Sequence, residues 1–139
     1  MKHIVLLVIL LIGCTATAIA GGYNYVEADQ FLQWIVNGKD MAIVDIQVPA
    51  EFQKHHFNGS LETNAYPVKA TDEKQKLDKV LPMLKATKND VVIVCPRGGG
   101  GAKNAYDYLK LSGIEEKRIF ILENGMQGWP YKELTVSGK

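Results

Sequence analysis

One cysteine stands at a position where parallel α/β folds carry reactive groups. Cys95 directly follows the β-branched run Val91–Val94 and precedes a proline, an arginine and four consecutive glycines. Glycine backbones can turn their N–H groups toward one point, and a following helix adds its unpaired N–H groups and the positive end of its dipole. We therefore predict that Cys95 is held as a nucleophilic thiolate at neutral pH. The candidate anion-binding loop comprises Pro96, Arg97, Gly98, Gly99, Gly100, Gly101, Ala102 and Lys103.

The other cysteine lies in a segment, residues 1–20, that has the layout of an export signal. A short basic start precedes the apolar run Ile4–Ile12, which is too short for a permanent membrane anchor. Two cleavage sites compete. Leu11–Cys14 resembles the bacterial lipobox, which would leave Cys14 as a lipid-bearing N-terminus, and Ala18–Ala20 has the small-x-small form of a secretory site. We slightly favour the lipobox and expect an exported, periplasmic protein that a lipid on Cys14 would attach to the cell envelope.

Either cleavage leaves Cys95 without a partner for an intramolecular disulfide. An unpaired thiol in an oxidising compartment is a candidate reactive group, since exported cysteines usually pair. The alternative is a buried, inert cysteine that behaves as a small hydrophobic residue. The position of Cys95 between strand and glycine loop favours the reactive interpretation.

Length and composition limit the remaining possibilities. The chain has 139 residues, which suits one domain, and its 47% hydrophobic and 22% charged content excludes a disordered or fibrous protein. Lysine and arginine number 16 against 15 acidic residues, so there is no basic field for nucleic acid. We expect no nucleic-acid partner.

The pattern of apolar residues predicts helices alternating with strands after the export signal. Continuous apolar runs predict buried strands over 41–48, 91–94 and 118–122. Helical spacing predicts helices over 23–36 and 102–111, a short helix and loop over 51–59, and one helix within the polar stretch 69–90. Thr71 is the expected cap of the third helix, which Pro82 should kink or end. In the last helix, Ala105, Tyr108, Leu109 and Leu111 are expected to face inward. This alternation indicates a single α/β domain over residues 23–136 with a mainly parallel sheet and helices on both faces.

Three motifs in this order resemble those of the rhodanese family, over nearly the whole mature chain. Members have Asp-x-Arg, Glu-Phe and a Gly-His-Ile-Pro-Gly-Ala turn, then a Cys-x-x-Gly-x-Arg-Ser/Thr loop, then Leu-x-Gly-Gly-x-x-x-Trp. The corresponding segments here are Asp45–Gln47, Glu51–Phe52, His55–Ser60, Cys95–Gly101 and Leu122–Trp129. The resemblance implies a sulfurtransferase without metal or organic cofactor. Cys95 would take sulfur from a small donor as a persulfide and pass it to a thiol or another acceptor, with Asp45 and Glu51 in supporting roles.

The chain departs from this family pattern at several positions. Gly100 and Gly101 stand where members have an arginine and a hydroxyl residue, so Arg97 or Lys103 is the candidate replacement for the cation. Gln47 replaces the arginine after the first predicted strand. These differences favour polysulfide or a protein persulfide over thiosulfate as donor.

Two other functions compete with sulfur transfer. Related folds include phosphatases and arsenate reductases, but these close the cysteine loop with an arginine where Gly101 stands. A non-catalytic sulfur carrier or docking module of the cell envelope is the third hypothesis, although the sequence identifies no protein partner. The adjacent His55 and His56 lack companions at zinc spacing, so we expect no metal site, and the resemblance places His56 in a structural turn.

Overall fold

The computed structural model describes residues 22–139, and the predicted export signal, including Cys14, lies outside the described residues. The strands are β1 (Tyr25–Val26), β2 (Met41–Asp45), β3 (Leu61–Glu62), β4 (Asp90–Val94) and β5 (Ile119–Leu122). The α-helices are α1 (Ala28–Val36), α2 (Pro49–Lys54), α3 (Thr71–Asp78), α4 (Leu81–Lys85) and α5 (Gly100–Leu111). Two 3-10 helices span Glu116–Arg118 and Lys132–Leu134. No helix within residues 22–139 is long and apolar enough to cross a bilayer.

The five strands form one sheet in the order β1-β5-β4-β2-β3, and every neighbouring pair is parallel. The three predicted strands form its centre, where both faces are covered and continuous apolar runs are required. The two outer strands have two residues each. This arrangement confirms the predicted α/β class with a parallel sheet.

Two apolar clusters cover the two faces of the sheet. One joins Val44, Ile46 and Cys95 to buried residues of α5, α3 and α4. The other joins Ile43, Val94 and further strand residues to α1 and Trp129. Because successive side chains of a strand point to opposite faces, Cys95 faces α5 whereas its neighbour Val94 faces α1.

Several predicted helix boundaries were wrong. The segment after Ala70 forms two short helices instead of one, although the predicted interruption at Pro82 is confirmed, because Pro82 lies in the first turn of α4 and cannot continue a helix from α3. Ala70 rather than Thr71 precedes α3 as its N-cap residue. In α5, Leu111 is 84% exposed and Tyr106 is buried in its place, so the inward face is rotated relative to the predicted one.

Candidate active site

Cys95 lies at the carboxyl edge of the sheet, immediately after β4 and within the loop that leads to α5. Its residue surface is only 1% exposed. The backbone N–H of Gly98 donates a hydrogen bond to the Cys95 sulfur over 2.8 Å, and Gly98 adopts φ +70°, a conformation that glycine tolerates. The Gly98 amide thus provides one hydrogen-bond donor directed at the Cys95 sulfur.

The glycine run divides between the loop and the helix. Gly98 and Gly99 complete the loop, whereas Gly100 and Gly101 form the first turn of α5 together with Ala102. The helix therefore begins two residues before the predicted start, and the predicted loop ends at Gly99. The first amides of any α-helix have no acceptor within the helix, so those of Gly100 and Gly101 lie at the positive end of α5.

Neither candidate cation hydrogen-bonds to the Cys95 sulfur. Arg97 is exposed on the loop. Lys103 lies one turn into α5, and its Nζ is 5.7 Å from the centre of the Tyr23 ring. Among the contacts of residues 22–139, the only hydrogen bond to the Cys95 sulfur is that from Gly98. The site is therefore built from backbone amide and apolar groups.

The turn that follows β5 hydrogen-bonds to the backbone of the cysteine loop. Met126 donates its backbone N–H to the carbonyl of Cys95 over 2.8 Å, and Gln127 donates to the carbonyl of Pro96 over 2.9 Å. Gly125 makes this approach possible, since it has φ +60° and any Cβ there would overlap the carbonyl oxygen of Cys95. The turn fixes the direction in which the cysteine leaves β4.

The ammonium group of Lys132 donates hydrogen bonds to backbone carbonyls of this supporting turn. Its Nζ donates to the carbonyl of Trp129 over 2.9 Å and also to the carbonyl of Met126. Burial lowers the pKa of Lys132. Sequence reasoning missed this residue, and no signal in the sequence could have found it, because lysines at helix ends are ordinarily solvated.

The first turn of α5 packs against an aromatic ring. A Cβ built on Gly101 would lie 2.6 Å and 2.7 Å from two ring carbons of Tyr66, and 3.6 Å from Cδ1 of Ile46. Gly101 is buried although it lies in the first turn of the helix. The ring of Tyr66 thus occupies the space that a side chain at position 101 would need.

Asp45 is the last residue of β2 and lies at the carboxyl edge of the sheet. It is 0% exposed, and its carboxylate accepts hydrogen bonds from the backbone N–H of Gln47 (2.8 Å) and from Nε2 of Gln47 (3.0 Å). Burial raises the pKa of Asp45 to about 6, against the lowering effects of the Gln47 hydrogen bonds and of His56. Strand alternation directs Asp45 away from the α5 face that holds Cys95.

The remaining polar candidates have structural contacts. Glu51 lies on α2 and pairs with Lys54 over 3.3 Å. His56 is buried, contacts the carbonyl of Phe52 through Nδ1 at 2.9 Å and stacks on the Phe52 ring. His55 contacts the Thr135 hydroxyl at 2.9 Å. The described part of the chain contains no group of three or more histidine, cysteine or acidic residues that could hold a metal ion.

Comparisons with known proteins give one family and a consistent set of folds. The family model described as "Rhodanese-like domain" matches residues 27–132. The comparison with curated proteins gives no match.

Solved structures with the same fold include proteins of different chemistry. A rhodanese-like domain protein from Staphylococcus aureus is 22% identical with a TM-score of 0.59, over 84% of this chain and 99% of that one. A thiosulfate sulfurtransferase from Pseudomonas aeruginosa is 18% identical with a TM-score of 0.62, over 84% of this chain and 20% of that one. An As-Sb reductase from Leishmania major is 15% identical with a TM-score of 0.60, over 77% of this chain and 76% of that one. At these identities the likeness shows the fold alone.

Proposed function

Because this chain belongs to the family of rhodanese-like domains, we propose that it is a sulfurtransferase that carries sulfane sulfur on Cys95. The observation that carries the proposal is the 2.8 Å hydrogen bond from the Gly98 amide to the Cys95 sulfur, at the carboxyl edge of a parallel sheet. Open α/β sheets bind their ligands at this edge. The same amide can stabilise either a thiolate or a bound persulfide.

The reaction needs only one nucleophile. The Cys95 thiolate attacks the outer sulfur of the donor, a new sulfur–sulfur bond forms, and the electron pair of the donor's sulfur–sulfur bond leaves with the shortened donor anion. The acceptor, a thiolate or cyanide, then attacks the outer sulfur of the persulfide. Cys95 leaves as a thiolate, which restores the starting state without net oxidation or reduction.

The surroundings of Cys95 favour a particular donor class. Thiosulfate carries two charges on one compact ion, and among residues 22–139 no cationic side chain hydrogen-bonds to the Cys95 sulfur to help stabilise it. Polysulfide carries its two charges at opposite ends of a sulfur chain, and the persulfide of a small thiol or protein carries one, so either needs less stabilisation beside the cysteine. We infer that such a donor is used in preference to thiosulfate.

The second candidate is a rhodanese-like module without catalysis. The 1% exposure of Cys95 favours it, because a sulfur that is covered at all times cannot meet a donor. A phosphatase or arsenate reductase has less support. The position where such an enzyme needs an arginine is Gly101, and the Tyr66 ring fills the space beside it.

Sulfur loading tests the proposal directly. The full-length protein is incubated with polysulfide and then analysed by mass spectrometry. We expect the peptide containing Cys95 to gain one sulfur atom that cyanide removes as thiocyanate, and Cys95→Ser to abolish the gain. Unchanged loading in Cys95→Ser rejects the proposal. Phosphate release from an aryl phosphate supports the phosphatase, and the absence of both loading and phosphate release supports a docking module.

We also propose export, with lipid attachment at Cys14, from the pattern of residues 1–20. The intact mass of the mature protein tests this. A diacylglyceryl adduct on a chain that starts at Cys14 supports attachment, whereas a chain that starts at Gly21 supports secretory cleavage. A chain that retains Met1 refutes export.

A further inference from the structure

The residues that pack around Cys95 lead to one aromatic side chain, that of Tyr66. Ile46 donates its backbone N–H to the carbonyl of Val94 over 2.9 Å, one step beyond the pairing of Asp45 with Val94. In a parallel sheet this register places Ile46 beside Cys95. Both residues belong to the apolar cluster on the α5 face.

Gly101 lies between this region and Tyr66. The position of a Cβ at Gly101 is 3.6 Å from Cδ1 of Ile46 and 2.6 Å from the Tyr66 ring. Tyr66 is half-buried and packs against the cluster that contains Cys95 and Ala102. Ile46, the neighbour of Cys95, and the half-buried Tyr66 ring therefore both pack against the first turn of α5.

Two hydrogen bonds hold the loop that carries Tyr66, one at Tyr66 itself and one at Pro67. The backbone N–H of Tyr66 donates to the carbonyl of Ile46 over 2.9 Å. Asn104 on α5 donates its side-chain N–H to the carbonyl of Pro67 over 3.0 Å. These contacts hold the ring against Gly101. The ring can leave this position only if the side chain rotates or the loop opens locally.

We propose that the Tyr66 ring controls access to the Cys95 sulfur, and that glycine stands at position 101 because the ring needs that space. Small or extended reagents reach the sulfur when the ring moves, and bulky ones are excluded. For sulfur transfer, which rests on the proposed function above, Tyr66 then selects among the donors named there, and favours slender sulfane sulfur compounds such as polysulfide over the persulfide of a protein. Tyr66 is a specificity-determining residue in this scheme.

Alkylation of Cys95 by iodoacetamide tests access without requiring sulfur transfer. Peptide mapping of the full-length protein counts label on Cys95 separately from Cys14. We expect Tyr66→Ala to raise the rate by about tenfold or more, since loss of the ring removes a local opening step. Tyr66→Phe keeps the ring and should keep the protection.

Tyr23→Ala is the matched control. Tyr23 also packs an aromatic ring on α5, against Tyr106, so its loss should weaken the fold without uncovering Cys95. An unchanged rate in Tyr66→Ala overturns the proposal, and so does an equal acceleration in Tyr23→Ala, which would indicate global unfolding.

Donor selection gives a second measurement. In Tyr66→Ala, loading from a bulky organic persulfide should accelerate more than loading from polysulfide, and an equal effect on both donors overturns the specificity role. The two proposals fail separately. Alkylation controlled by Tyr66 in a protein that never accepts sulfur rejects only sulfur transfer, and loading with alkylation insensitive to Tyr66 rejects only the control of access.

Discussion

The buried carboxyl of Asp45 should make the stability of the protein fall as pH rises. Its pKa is raised by burial from an ordinary 3.8 to about 6, and its hydrogen-bond donors are both neutral groups of Gln47. Between these two pH values the folded protein holds a proton that the unfolded chain has released. The stabilisation linked to that proton is complete below pH 3.8 and is lost as pH rises through about 6.

The magnitude follows from the displacement of the pKa. At about 1.4 kcal/mol for each pH unit, a rise from 3.8 to about 6 corresponds to about 3 kcal/mol in the free energy of unfolding. Most of it, about 2 kcal/mol, falls between pH 4 and pH 7. Asp45→Asn removes the titration but keeps the acceptor for the Gln47 backbone N–H, while it loses the bond from Nε2 at a cost of about 1 kcal/mol.

The assay is urea unfolding followed by tryptophan fluorescence at pH 4 and pH 7, for the wild type and Asp45→Asn. Relative to the wild type, the variant should gain about 2 kcal/mol on going from pH 4 to pH 7, which isolates Asp45 from all other titrating groups. Asp40→Asn makes the same chemical change at an exposed position and serves as control. An equal pH dependence in the wild type and Asp45→Asn would refute the reasoning.

Three further substitutions test the packing around the cysteine loop, each by thermal and urea unfolding. Lys132→Met removes the ammonium donor from the carbonyls of Met126 and Trp129, of which that of Met126 keeps the Trp129 N–H, so we expect a loss of about 1–3 kcal/mol, and no loss would contradict the role of the ammonium group. Gly125→Ala adds a Cβ that overlaps the Cys95 carbonyl at positive φ, and it should cost at least about 2 kcal/mol; an unaltered midpoint would show that the turn can move away. Gly101→Ala should destabilise the protein by about 1–3 kcal/mol although alanine favours helices, because its Cβ meets the Tyr66 ring. In a Tyr66→Ala background the same change should become stabilising by about 1 kcal/mol, and a loss in both backgrounds would contradict the packing argument.

The sequence predicted the centre of the sheet well because its physical signal is local. β2, β4 and β5 contain continuous apolar runs, as strands covered on both faces must. β1 and β3 were missed because two residues are too few to show any periodicity. Their pairing with β5 and β2 depends on contacts distant in the chain.

The candidate site was likewise predicted only in part. The location of Cys95 at the carboxyl edge followed from the order of strand, loop and helix. The start of α5 at Gly100 did not, because glycine is a poor helix former and only contacts such as that of Tyr66 with Gly101 compensate for it. Tyr66 and Lys132 could not be identified, since each acts on residues that are close in space without any regular spacing in sequence.

The very short strands at both edges of the sheet also affect how the protein behaves at high concentration. An unpaired strand edge is a template for sheet growth between molecules, and long, flat, apolar edges promote aggregation. β1 and β3 offer only two residues each and pair with the carboxyl ends of β5 and β2, whereas the apolar strand β4 lies between β2 and β5 and has a neighbour on both sides. β4 is thereby protected against edge-to-edge association in the folded domain, and within residues 22–139 the outer sides of residues 41–43 in β2 and 119–120 in β5 are the short stretches that β1 and β3 leave without a strand partner.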